Sequence, residues 1–119
     1  KGVEKQVEIF GESVRHSYEE GPEETRHIKK WLANMFGDYY TRKGLSVAHR
    51  EMITFCFLAA QGGCEPQLKA HVEGNLNVGN SKQYLINIAS QCVPYIGYPR
   101  TLNALRCIQD GYTAWEAKQ

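Results

Sequence analysis

The sequence contains no C-x-x-C pair, and no H-x-x-x-H or H-E-x-x-H pair. The first absence removes the local thioredoxin-like redox motif, and the second leaves a helical zinc site without support. The net charge is only +1 over 119 residues, with no run of Lys or Arg. That balance argues against nucleic acid as a partner. No apolar stretch reaches the roughly 18 uncharged residues that a membrane-spanning helix needs. The opening Lys1-Gly2-Val3-Glu4-Lys5-Gln6 lacks the apolar run of a secretory signal. No stretch alternates with the period of two that marks a half-buried strand. The four cysteines, Cys56, Cys64, Cys92 and Cys107, lie far apart inside apolar helical patterns rather than in a disulfide framework. Free thiols in a reducing, cytoplasmic setting are the expectation. Neither a cofactor nor a metal is expected.

What is present reads as helix. Apolar residues make up 42% and charged residues 23%, the proportions of an ordinary folded chain. Val7, Phe10, Val14 and Tyr18 form one stripe and predict a first helix from Val3 to Tyr18, weakened at Gly11 by about 1 kcal/mol relative to Ala. Pro22 opens a second helix, with Glu23 and Glu24 at its favourable end and Ile28, Trp31, Leu32, Met35 and Phe36 as its apolar stripe. Gly37 is expected to end it, and the loop Asp38–Gly44 follows. Ser46 caps a third helix running to Gln61, apolar almost all round from Ile53 to Ala60 and therefore expected to be buried. His49, Arg50 and Glu51 are expected at its exposed start. A fourth helix spans Glu65 to Val78, and Ser81 caps a fifth with Tyr84, Leu85, Ile88, Ala89, Cys92 and Val93 on its stripe. Pro94 to Pro99 interrupts the pattern. Pro99 begins the last helix, striped by Leu102, Leu105, Ile108 and Tyr112. The reading is all-α, with about six helices in a single domain over residues 1–119. So apolar a third helix in so short a chain predicts that other copies complete its burial, a homo-oligomer.

The chain's organising stretch is Gly62-Gly63-Cys64-Glu65-Pro66-Gln67-Leu68-Lys69-Ala70-His71. The two glycines stop the third helix and Pro66 suits the first turn of the fourth. Cys64 then stands at a helix N-terminus, where the dipole favours a thiolate. Gln67, Leu68 and His71 follow at spacings of three, four and seven and share its face. Spacing alone leaves two readings open: a thiol–imidazole site, or a packed cysteine and a hydrogen-bonded core histidine.

Further motifs accompany this stretch in order: Gly44-Leu45-Ser46, Arg50-Glu51, Ala59-Ala60, Asn75-x-Asn77-x-Gly79, and Tyr95-x-Gly97-x-Pro99-x-x-x-Asn103-Ala104. Together they resemble the carboxymuconolactone decarboxylase family, the wider group that includes alkylhydroperoxidase D. The resemblance implies an all-helical fold around an antiparallel helix pair, assembled as trimers or hexamers. In its peroxidase branch a C-x-x-C precedes a His. The first Cys matches Cys64 and the His matches His71, but the second Cys falls on Gln67. A Glu on the preceding helix matches Glu51. In its decarboxylase branch, which the sequence resembles better, the substrate is a small carboxylated lactone. The resemblance implies His71 as proton donor and Glu51 as its acid–base partner, with Cys64 lining the pocket. Arg50 or Arg42 is expected to hold a carboxylate, and Gln67 and Tyr95 complete the expected substrate contacts. Three functions follow as expectations: a decarboxylase-like lyase, a thiol-dependent hydroperoxide reductase using Cys64, and a non-catalytic helical binding oligomer.

Overall fold

The computed structural model describes residues 1–119 and contains six α-helices and no strand. They are α1 (Gly2–Phe10), α2 (Glu23–Tyr39), α3 (Val47–Gln61), α4 (Glu65–Asn77), α5 (Lys82–Ile96) and α6 (Tyr98–Ala117), with two single 3₁₀ turns between α1 and α2. The all-α expectation is met. The helices fall into two compact units, Lys1–Val47 and Ala48–Gln119.

In the first unit, α1 packs on α2. Ile9, Ala33, Phe36 and Tyr40 are buried, and the Phe10 ring meets Phe36 edge-on at 5.9 Å. Two sequence expectations are corrected here. The first helix stops at Phe10, because Gly11 adopts φ 95°, a left-handed conformation that an α-helix cannot continue through. Gly37 does not end the second helix; it lies inside α2, buried against the backbone of Gly2. Its missing side chain serves helix contact rather than termination. The predicted α2 stripe is only partly a core stripe: Phe36 is buried, whereas Ile28, Trp31 and Leu32 are exposed.

The second unit holds the predicted site. Four contacts define how α3 and α4 run. Leu58 near the end of α3 meets Cys64 just before α4, and Glu51 near the start of α3 meets His71 and Asn75 well along α4. Asn80, beyond α4, reaches back to Ala48. The pair is antiparallel. Helix α6 runs parallel to α4, since Cys107 approaches Glu65 at one end while Trp115 donates to Asn77 Oδ1 at the other. Helix α5 returns antiparallel to α6, with Lys82 at its start against Gln109 and the Tyr112 ring. Phe55, Ala59, Leu68, Val72, Leu85, Ala89, Ala104 and Ile108 form the shared core.

Local chemistry explains the boundaries. Ser81 Oγ accepts the Tyr84 amide at 3.0 Å, the predicted N-cap of α5. Pro94 does not break α5, which continues to Ile96 and ends at Gly97 with φ 87°. The third helix is less buried than its composition suggests: Phe55 is 0% exposed, but Phe57 is 72% exposed. An all-round apolar helix here has one core face and one bare face.

Helices α4 and α6 approach closely at Gly111. A Cβ built on Gly111 would stand 2.7 Å from Val72 Cγ1 and 3.2 Å from the Lys69 carbonyl. Gly111→Val forces these helices apart and should lower stability by about 1–3 kcal/mol, the usual range for overpacking a close contact. Thermal and denaturant unfolding measure it, and an unchanged midpoint would refute the close approach.

Candidate functional site

The site begins with an acid taken out of water. Glu51 stands one turn into α3 and is 0% exposed. This corrects the expectation that it lies at an exposed helix start: α4 covers that face. A buried carboxyl group needs a hydrogen-bonding partner, since losing water without one costs several kcal/mol. His71 provides it, with Nδ1 2.5 Å from Glu51 Oε1. The ring is itself largely covered, at 15% side-chain exposure. With Nδ1 engaged by the carboxyl group, the ring orientation is set and Nε2 is the nitrogen turned away from that carboxyl group.

Asn75 locks this pair in place. It is also 0% exposed, one turn beyond His71. Its Nδ2 donates to the backbone carbonyls of Glu51, at 3.1 Å, and His71, at 2.7 Å. Its Oδ1 accepts from Asn80 Nδ2 at 2.8 Å, and that same amide donates to the Ala48 carbonyl at 2.9 Å. One amide thus joins the backbones that carry the acid and the imidazole, and a second amide holds the first. Reasoning from the residues did not assign Asn75 a role. The signal was present: an amide on the face that also carries Leu68, Val72 and Leu76, a polar residue where the helical period calls for an apolar one.

Cys64 is placed as expected at the N-cap of α4, with Pro66 in the first turn. Its thiol donates to the Leu58 carbonyl at 3.4 Å. Seven residues separate it from His71, about 10 Å along a helix axis at 1.5 Å per residue. The imidazole is therefore engaged by Glu51, and the thiol by backbone. The turn before Cys64 uses both glycines at φ 70° and 72°. Arg100 from α6 lies against it, its Nε 2.9 Å from where a Gly62 Cβ would stand. The fold thus sets the Arg100 side chain against the backbone that leads into Cys64.

A sequence model of the carboxymuconolactone decarboxylase family matches residues 26–110. The chain belongs to this family. A 4-carboxymuconolactone decarboxylase from Acinetobacter baylyi is 26% identical over 112 residues, covering 92% of this chain and 83% of the relative. The family match takes in α3, α4 and α5, and so the whole Glu51–His71–Asn75 cluster.

The remaining expected site residues of this family member are less gathered. Arg50 is half-buried beside Glu51 on α3, and its carbonyl accepts from Thr54 Oγ1 at 3.0 Å. Gln67 is exposed in the first turns of α4. Tyr95 is 81% exposed near the end of α5 and is not drawn into the cluster. Arg42 is exposed and belongs to the first unit. A separate cleft of about 290 Å³ opens between the start of α4 and α6, with Glu65, Lys69, Arg106 and Cys107 in its walls. The Cys107 thiol there is pushed up from its ordinary pKa by burial first, then by the charges of Glu65 and Asp110.

The amide lock makes a stability prediction. Asn75→Ala removes the side-chain donor that bridges the Glu51 and His71 carbonyls and takes the Oδ1 acceptor from Asn80, and should cost about 1–3 kcal/mol. Equilibrium urea unfolding measures this, and a loss below about 0.5 kcal/mol would show that the amide does not hold the helix pair.

Proposed function

We propose that this protein is a decarboxylase-like lyase acting on a small carboxylated lactone, with His71 and Glu51 as its acid–base pair. The observation that carries the reading is the partner of the imidazole. Nδ1 is held by a fully buried carboxyl group, whereas the Cys64 thiol donates to a backbone carbonyl. That arrangement suits proton transfer by His71 better than activation of a thiol. The family admits this chemistry, and the relative from Acinetobacter baylyi carries the decarboxylase name.

The reaction breaks the bond between a ring carbon and a carboxylate. Carbon dioxide leaves, and the electron pair spreads through the conjugated ring toward the lactone carbonyl. His71 delivers a proton from Nε2 to the carbanion carbon, and Glu51 stabilises the imidazolium that must form before that step. The ring regains its proton from solvent, so the balance is one carboxylate and one proton consumed, one CO2 and one C–H bond formed. Arg50 is the carboxylate anchor in this reading, and its guanidinium suits two-point recognition. Arg42, Gln67 and Tyr95 act as further substrate contacts. Cys64 lines the pocket without bonding to the substrate.

The protein works as a homo-oligomer, a trimer or a hexamer, in this proposal. Phe57, Tyr95, Tyr98 and Leu102 leave 72%, 81%, 69% and 41% of their surface bare in a single copy, and a second copy would cover them.

The test is CO2 release from γ-carboxymuconolactone and related carboxylated lactones, by wild type and three variants. His71→Ala should lose about 10²–10⁴-fold in turnover, the range for a general acid–base group. Glu51→Gln should fall in the same direction, and Cys64→Ser should retain turnover. Loss of turnover in Cys64→Ser, with peroxide consumption by wild type, would replace the lyase by a thiol peroxidase. Turnover that survives His71→Ala would overturn the proposed acid.

A further inference from the structure

The cleft between α4 and α6 does not include His71, Glu51 or Cys64. Its volume of about 290 Å³ suits one small molecule. Past Asp110 the two helices close on each other, Gly111 against Val72 and the Lys69 carbonyl. Four charged residues stand in the walls, Glu65 and Lys69 on α4, Arg106 and Asp110 on α6. Each helix thus carries an acid and a base at i and i+4, the spacing at which they pair on a helix surface. Neither pair forms, and none of the four enters any other ion pair of the chain. The Cys107 thiol reaches the Glu65 carbonyl at 3.7 Å, which sets Glu65 and its neighbour Arg106 at one height. Lys69 and Asp110 stand one turn further along their helices. The rest of the lining includes Pro66 and the buried Cys107. Burial first, then Glu65 and Asp110, push that thiol up, so it keeps its proton at neutral pH and adds no charge.

From this arrangement we infer that the α4–α6 cleft binds a small zwitterion, an α-amino acid, at a site separate from His71. Charge balance selects the class. A site for an anion gathers cations, and a site for a cation gathers acids, but here both signs occur at each height of the cleft. An α-amino acid carries both charges on neighbouring groups, so it meets one base and one acid at once. Arg106 takes the carboxylate through two parallel N–H donors, and Glu65 accepts from the ammonium group. Asn103, one turn before Arg106 on the same wall, adds an amide on the carboxylate side. Pro66 and the protonated Cys107 thiol give the aliphatic part of the ligand an uncharged surface. Lys69 and Asp110 repeat the pair of charges one turn on, where the far end of a longer side chain would lie. Glu65, Arg106 and Asp110 are exposed, so water and salt screen them. Binding is therefore weak and falls as salt rises.

The experiment titrates the isotope-labelled whole chain with glycine, L-valine and L-methionine and follows its backbone amides by NMR. Each amino acid is compared with the amine and the carboxylate that keep its skeleton but carry a single charge (for glycine, methylamine and acetate). At least one amino acid should give saturable shifts centred on residues 65–69 and 103–110. Its two single-charge analogues should bind about tenfold more weakly, the loss expected for one charge-assisted contact. Arg106→Gln and Glu65→Gln should each weaken the amino acid by a similar factor. No saturable shift with any of the three, or shifts centred on His71, would overturn the inference. So would a single-charge analogue that binds as well as its amino acid. The analogue comparison uses wild type alone and decides the matter if a variant fails to fold. Neither result depends on the lyase assay, so the two proposals fail separately.

Discussion

A carboxyl group withdrawn from water is the constraint around which the second unit is arranged. Glu51 has no solvent, so its partner must be built in, and His71 is that partner. Bringing them together requires α3 and α4 to lie antiparallel in one register. A shift of one residue would turn either side chain off the shared face, because neighbouring positions on a helix point about 100° apart. The register is held by backbone hydrogen bonds from Asn75, whose own carbonyl oxygen is held by Asn80. The polar network is small and each member is satisfied, the condition under which buried polarity specifies a single packing.

The same pairing separates the chemistry of α4 into two regions. At the N-terminus, two glycines in left-handed conformations turn the chain, Arg100 packs over them, and Cys64 faces the backbone. Two turns on, His71 faces the acid. A thiol and an imidazole on one helix face are thus held by different partners. The closeness of α6, permitted by Gly111 against Val72, supports α4 from its other side. His71 stands on a helix packed from both sides, which limits how far its ring can move.

Much of this was legible in the residues. The family motifs, the helix starts at Ser46, Pro66 and Ser81, and the candidate residues His71, Glu51 and Cys64 all rest on local signals: spacing, caps and breakers. Other readings failed where the deciding contact is distant in sequence. Gly37 reads as a helix terminator but lies within α2 because Gly2 packs against it. Pro94 reads as a breaker, yet α5 carries it through to Gly97. The α2 stripe and Phe57 read as core, but an apolar period tells only which side is apolar, and not whether another element covers it.

By itself the sequence determined the helical class, most helix starts, the family, and which residue types stand at the candidate site. These depend on backbone preferences and side-chain periodicity within a few residues, which the order of residues states directly. Only the tertiary structure decided that Glu51 is buried, that Asn75 ties the helix of His71 to that of Glu51, and that Asn80 secures Asn75 from beyond that helix. The first two of those facts depend on which helix faces are brought together across 20 or more residues of chain. That choice is made by the packing of the whole unit, where one buried carboxyl group needs one donor, and not by any local stretch.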